Sequence, residues 1–123
     1  MSGSSLERLG AVSREYAEKA NSFEAVAVAA AHAEAEHKAE RAKAILRYRA
    51  VEGCRSHAEA ETRAEADDRI ADLYHTRLIT AAVADAHREK LRQLREQISY
   101  GRTHVASERE ADRIHAAGYE GAP

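Results

Sequence analysis

Proline is missing from all but the last of the 123 positions, so no helix in this chain is interrupted by one. Cysteine occurs once, at Cys54, which rules out an intramolecular disulfide and fits a reducing, cytoplasmic setting in which the thiol is a passive turn residue. Long apolar runs are also lacking. The longest, Ala25 to Ala31, is seven residues of mostly alanine, against the roughly 20 that a membrane span needs. No charged segment followed by an apolar one opens the chain, so neither export nor a membrane partner is expected. Strong core formers are scarce, with Leu, Ile, Val and Phe together making 19 residues. A fraction that low would suggest disorder if the net charge were large, but the charge is only -2. Catalytic signatures are missing too. The chain has no glycine-rich phosphate loop, no Cys/His pair at metal spacing and no serine in a strand-turn-helix setting. A non-enzymatic protein with no cofactor and no small-molecule substrate is therefore expected.

What the chain has is helix propensity. Ala, Glu, Arg, Leu and Lys make 70 of the 123 residues, a composition typical of long helices and coiled coils. Residues 1–12 read as an N-terminal segment that could add a short helix. Residues 13–51, free of glycine, read as one long helix with an alanine-rich middle. Residues 52–55 form the turn, because Gly53 tolerates the left-handed conformation that closes a helix. Ser56-His57-Ala58-Glu59 then matches a capping box, opening a second long helix over 56–117 with weak points near 67 and 101. Two long helices joined by a short turn predict an all-α, elongated antiparallel helical hairpin or coiled coil in a single domain, with residues whose numbers sum to about 108 facing one another. A three-helix bundle is the architectural alternative. A two-helix layer leaves apolar stripes uncovered, which predicts self-association into a homo-oligomer or docking on a partner.

The second helix carries the clearest pattern. With Leu91 at heptad position a, Ala84, Ile98 and Val105 also fall at a and Leu94 at d, giving a narrow apolar seam. Beside it, steps of 4 and 3 pick out Arg88, Arg92, Arg95, Arg102, Arg109 and Arg113, six arginines on one side of a helix. Arg95 and Arg102 alone among the weighed arginines have no acidic residue three or four positions away, whereas Arg92 has Glu89 and Glu96, Arg113 has Glu110 and Arg88 has Asp85. A guanidinium row of this kind suits phosphate oxygens along a nucleic-acid backbone, and the nearby Tyr100 could stack on a base. The same residues could instead flank a coiled-coil seam and pair with Glu15 and Glu18 of the first helix, with another subunit, or with an acidic protein partner. An overall pI near 6.4 argues against a dedicated high-affinity DNA binder.

Two further signals point elsewhere. From Glu59 to Asp72 six acids stand against Arg63 and Arg69, so the second helix is acidic at one end and has its arginine stripe at the other. Glu34-x-x-His37 has the spacing used by di-metal carboxylate bundles. No second such pair accompanies it, and Asp72 and His75 should point away from the seam, so the histidines are expected on solvated helix surfaces.

The segment LRQLREQISYGRTHVASERE, residues 91–110, resembles small helical proteins encoded in the early regions of tailed phages of actinobacteria. The similarity extends loosely to the preceding helix and the glycine turn at 53. It implies a setting in the host cytoplasm early in infection, with a role in phage DNA metabolism, recombination or interference with a host factor. No catalytic residue carries across.

Overall fold

The computed structural model describes residues 2–120, and the side chains of residues 4–118. The described chain is all-α: α1 spans Ser2–Ala50, α2 His57–Ala66 and α3 Asp68–Glu120. Two boundaries differ from the sequence reading. Residues 2–12 are not a separate segment, since α1 runs through them from Ser2. Gly10 has no proline beside it, and a single glycine costs a helix only about 1 kcal/mol, which the continuing seam offsets.

The second helix is divided, and the break falls at Asp67 rather than Gly101. Asp67 is extended, with ψ 129°, and ends α2. Its Oδ1 accepts the Arg69 N–H at 3.0 Å, so the same side chain caps the start of α3. Its Oδ2 accepts from Arg47 Nη2 at 3.0 Å and from the Tyr48 hydroxyl at 3.1 Å, fixing the corner to α1. The Tyr48 hydrogen bond, above all, holds the Asp67 carboxyl below its ordinary range. The turn before α2 follows expectation. Gly53 has φ +73°, Ser56 Oγ accepts the Glu59 N–H at 3.1 Å, and Glu59 Oε2 reaches back to the Arg55 N–H at 3.2 Å.

The chain forms two compact units. One takes in the residues up to Ser22 together with those from His87 onward. Here Leu94 is fully buried and Val105 nearly so, while Leu91 and Ile98 are half-buried, as the heptad requires. From α1 the seam receives Ser5, Leu9, Val12, Tyr16 and Lys19, again in alternating steps of 4 and 3. The pairing is antiparallel: Ser5 Oγ donates to Glu108 Oε1 at 3.0 Å, and Ser22 Oγ lies 3.4 Å from His87 Nε2. Facing residues thus follow the expected register, with numbers that sum to 113 for Ser5 and Glu108, 109 for Ser22 and His87 and 105 for Glu15 and Lys90. Residues 101–108 consequently have a partner helix, whereas those from 109 to 118 are exposed. A Cβ at Gly101 would meet Leu9 Cδ1 at 3.1 Å, so glycine there serves close helix approach while the helix stays unbroken.

The other unit is Phe23–Ala86. Its core is Ala44, Ile45, Cys54, Ala60, Ala64 and Ile70, with Tyr48 and Leu73 packed against it. Ala60 and Ala64, one turn apart on α2, are fully buried. Small side chains let α2 approach closely but remove little area from water, so closeness rather than bulk defines this core. Cys54 is buried in it as a small apolar residue.

Candidate functional site

All six predicted arginines are exposed on α3, in the unit that holds Leu94. The structure divides them by what they touch. Arg92 is held between two carboxylates: Nε donates to Glu89 Oε2 at 3.0 Å, Nη2 to Glu89 Oε1, and Nη1 to Glu96 Oε1. The hydrogen bonds to Glu89 come first among the causes that raise the guanidinium pKa and lower that of Glu89. Arg113 donates to Glu110 at 2.7 Å. Arg88 has an interaction partner of its own. Among the described residues, Arg95, Arg102 and Arg109 form no ion pair. Glu15, one of the two acids weighed as a partner for the stripe, instead meets Lys90 Nζ at 3.4 Å.

Arg95 and Arg102 line one groove of about 570 Å³ between α1 and α3, with Ser13, Tyr16, Ile98, Ser99 and Thr103. The two arginines are one heptad apart, about 10.5 Å along the helix. The hydroxyls of Ser13, Tyr16 and Ser99 therefore stand as donors around two unpaired guanidiniums, a set suited to a chain of phosphate oxygens. Thr103 Oγ1 donates to the Ser99 carbonyl at 3.1 Å, so its lone pairs rather than its proton face outward.

Tyr100 does not join this groove. It is 74% exposed, lies stacked on His104 with ring centroids 6.2 Å apart, and lines a separate groove with Arg8, Leu9 and Gly101. At heptad position c, it is about 200° around the helix from Arg102 at e, which the 100° step per residue dictates. A base stacked on Tyr100 would not share a surface with the Arg95–Arg102 pair.

A polar cluster that the sequence reading left outside the site lies in the Phe23–Ala86 unit. His37 is 6% exposed, against the expectation of a solvated histidine. Its Nδ1 lies 3.1 Å from Arg77 Nη1, and since the guanidinium can only donate, Nδ1 accepts and the ring proton sits on Nε2. Burial, reinforced by the charges of Arg77 and Arg41 and opposed by Glu65, pushes the His37 pKa down. Arg77 Nη2 reaches Glu34 Oε1 at 3.4 Å, and Glu34 also binds Lys38 at 2.8 Å. The Glu34-x-x-His37 pair is thus turned toward an arginine. Asp72 and His75 are exposed and face away. No group of three or more His, Cys, Asp or Glu is placed to hold a metal among the described residues. The signal for this cluster was present: carrying the steps of 3 and 4 back from Ala84 through Thr80 lands on Arg77, which places an arginine inside the seam.

Because His37 is harder to protonate in the fold than in the unfolded chain, its contribution to stability is complete above pH 6.5, the ordinary value, and is lost as pH falls through the lowered folded value. The expected result is a lower urea midpoint at about pH 5.5 than at about pH 7.5. In a His37→Leu chain that part of the difference disappears; an unchanged difference would mean that His37 does not carry it.

Comparison with known proteins returns no matching family model, no similar curated protein and no similar solved structure. No helix among the described residues is long and apolar enough to cross a membrane.

Proposed function

We propose that this chain is a non-enzymatic phage accessory protein that contacts nucleic-acid backbones through the groove of Arg95 and Arg102. The observation that carries the reading is the sorting of the arginines: Arg92 and Arg113 are held by neighbouring glutamates, whereas Arg95 and Arg102 share a hydroxyl-lined groove with no carboxylate opposite them. Such a surface reads charge and spacing, not bases. With Arg109 added, three cations remain for phosphates. Their contribution to the log-log salt slope is about -2.7 on duplex DNA and about -2.1 on single strands, well below the roughly -5 that six contacts would give. Fluorescence anisotropy of labelled DNA at several salt concentrations measures that slope. An Arg95→Glu, Arg102→Glu chain that keeps its helical circular dichroism is expected to lose binding. Retained binding, or none by the native chain, would overturn the reading and leave an acidic protein as the partner to seek.

A second reading, self-association, is favoured by one observation. In the Phe23–Ala86 unit Leu78, Ile79 and Val83 are 49%, 50% and 44% exposed within ten residues of α3, and Val28 of α1 is 61% exposed. Apolar residues grouped in this way mark contact surfaces more often than scattered ones do. Light scattering is expected to give an oligomeric mass for the native chain and a monomeric one for Ile79→Glu, Val83→Glu. A native monomer at high concentration would dispose of this reading.

A further inference from the structure

All three helices line a cavity of about 850 Å³ in the Phe23–Ala86 unit. Its size falls within the range of small-molecule sites. Its floor is apolar, formed by Ile45 of α1 and by Ile70 and Ala71 of α3, with the Tyr74 ring beside them. Ile70 and Ile45 are buried at the helix interface, and Tyr74 stays half-exposed although its ring packs at 5.3 Å from His37. An aromatic ring left open beside aliphatic side chains offers a flat apolar body a face to lie on.

The polar groups are unevenly arranged around this floor. At one end stand Lys38, Arg77 and His37. Lys38 and Arg77 share a single carboxylate, Glu34, which is not part of the lining, so this end carries one uncompensated positive charge. At the other end Arg41 is already matched, lying 3.0 Å from Glu65 and 3.6 Å from Glu61. His37 sharpens the asymmetry. With Nδ1 occupied by Arg77, its remaining polar group is the Nε2–H donor, for which no described residue supplies an acceptor.

A helical seam does not need this arrangement for its stability. An ion cluster in a partly buried seam is often no better than apolar packing of the same volume, and it leaves a cavity beside it. Residues that break the local packing rule are expected where a site is built.

We infer that this cavity binds a small organic anion, a carboxylate on an aromatic or aliphatic body. The carboxylate would lie at the Lys38–His37–Arg77 end and the apolar body over Ile45, Ile70 and Tyr74. Lys38 supplies an ammonium, and Arg77 supplies the guanidinium N–H groups left over from its single bonds to His37 and Glu34. Neutral His37 spends its Nδ1 lone pair on Arg77, orienting the guanidinium without adding a charge of its own. The site is independent of the Arg95–Arg102 groove, which lies in the other unit.

The test uses the full chain, with 2-naphthoate as probe and 2-naphthylmethylammonium as its cationic counterpart of nearly the same shape. Isothermal titration calorimetry is expected to show saturable one-to-one binding of the carboxylate. The ammonium should bind at least tenfold more weakly. In amide chemical-shift mapping the changes should centre on His37, Ile70 and Arg77. Arg77→Gln should weaken the carboxylate at least tenfold. The double variant His37→Leu, Arg77→Leu, in which the seam becomes apolar and the fold is retained, should abolish the preference for the carboxylate over the ammonium. Arg95→Glu, Arg102→Glu should leave binding unchanged. Absence of saturable binding, equal binding of the two probes, shifts centred on another surface, or full affinity in the folded double variant would each overturn the proposal.

Discussion

Leu94→Ala is expected to lower the free energy of unfolding by about 3 kcal/mol and the melting temperature by roughly 10 °C. Leu94 is the largest side chain in the described structure that is fully withdrawn from water. It sits at heptad position d, between the half-buried Leu91 and Ile98 at a, so its removal opens a gap that neither neighbour can fill without leaving its own hole. The effect is large because so few bulky residues share the load. In a core of many leucines one deletion is diluted, whereas here Leu94 and Val105 are the only well-buried bulky apolar residues among those described in their unit. Chemical denaturation with circular dichroism measures the loss. Leu91→Ala, at a half-buried position, serves as the comparison and should cost about half as much. Equal costs at the two sites would mean that burial in the single chain does not determine stability, as would happen if a second copy covered Leu91.

Ala64→Leu is expected to cost about 1–3 kcal/mol through overpacking, and to do so locally. Ala64 is fully buried on α2, a helix of ten residues held against α1 and α3 by small side chains. A helix this short has little stability in isolation, so three added carbons that push it off its neighbours remove most of what keeps it helical. Hydrogen exchange should show amides 57–66 losing protection while those around Leu94 keep theirs, because the two residues belong to different units. A uniform loss of protection along the chain would show that α2 is instead integral to a single cooperative fold. The same displacement would widen the cavity lined by His57 and Glu65 of α2, so this chain should also bind 2-naphthoate less tightly.

Much of the architecture is written in local chemistry. The absence of internal proline, the excess of alanine, glutamate and arginine, the capping box at Ser56 and the glycine at 53 are enough to require long helices with a tight turn between them, because each acts within a few residues of itself. The seam through Ala84, Leu91, Leu94, Ile98 and Val105 was legible for the same reason, since a period of 3.5 residues is a local property. The isolation of Arg95 and Arg102 from neighbouring acids could likewise be read from intervals of three and four along one helix.

The tertiary structure decided what depends on a partner distant in sequence. Asp67 and Gly101 looked like equal weak points. Only packing tells them apart, because Asp67 is drawn into a corner by Arg47 and Tyr48 from α1, while Gly101 is held in line by Leu9. Which of the arginines keep a free guanidinium follows from side-chain geometry as well as spacing, and the groove beside Arg95 and Arg102 needs Ser13 and Tyr16 from the other helix. The His37–Arg77 pair is the furthest case. The spacing along each helix puts His37 and Arg77 on the seam side, but only the antiparallel register brings an arginine forty residues away against a buried imidazole, over a floor that α1 and α3 form together. Short-range propensity determines that helices form and where they turn. Long-range pairing determines which of their polar side chains become a site, since the energy of burying a charge depends on what the fold places beside it.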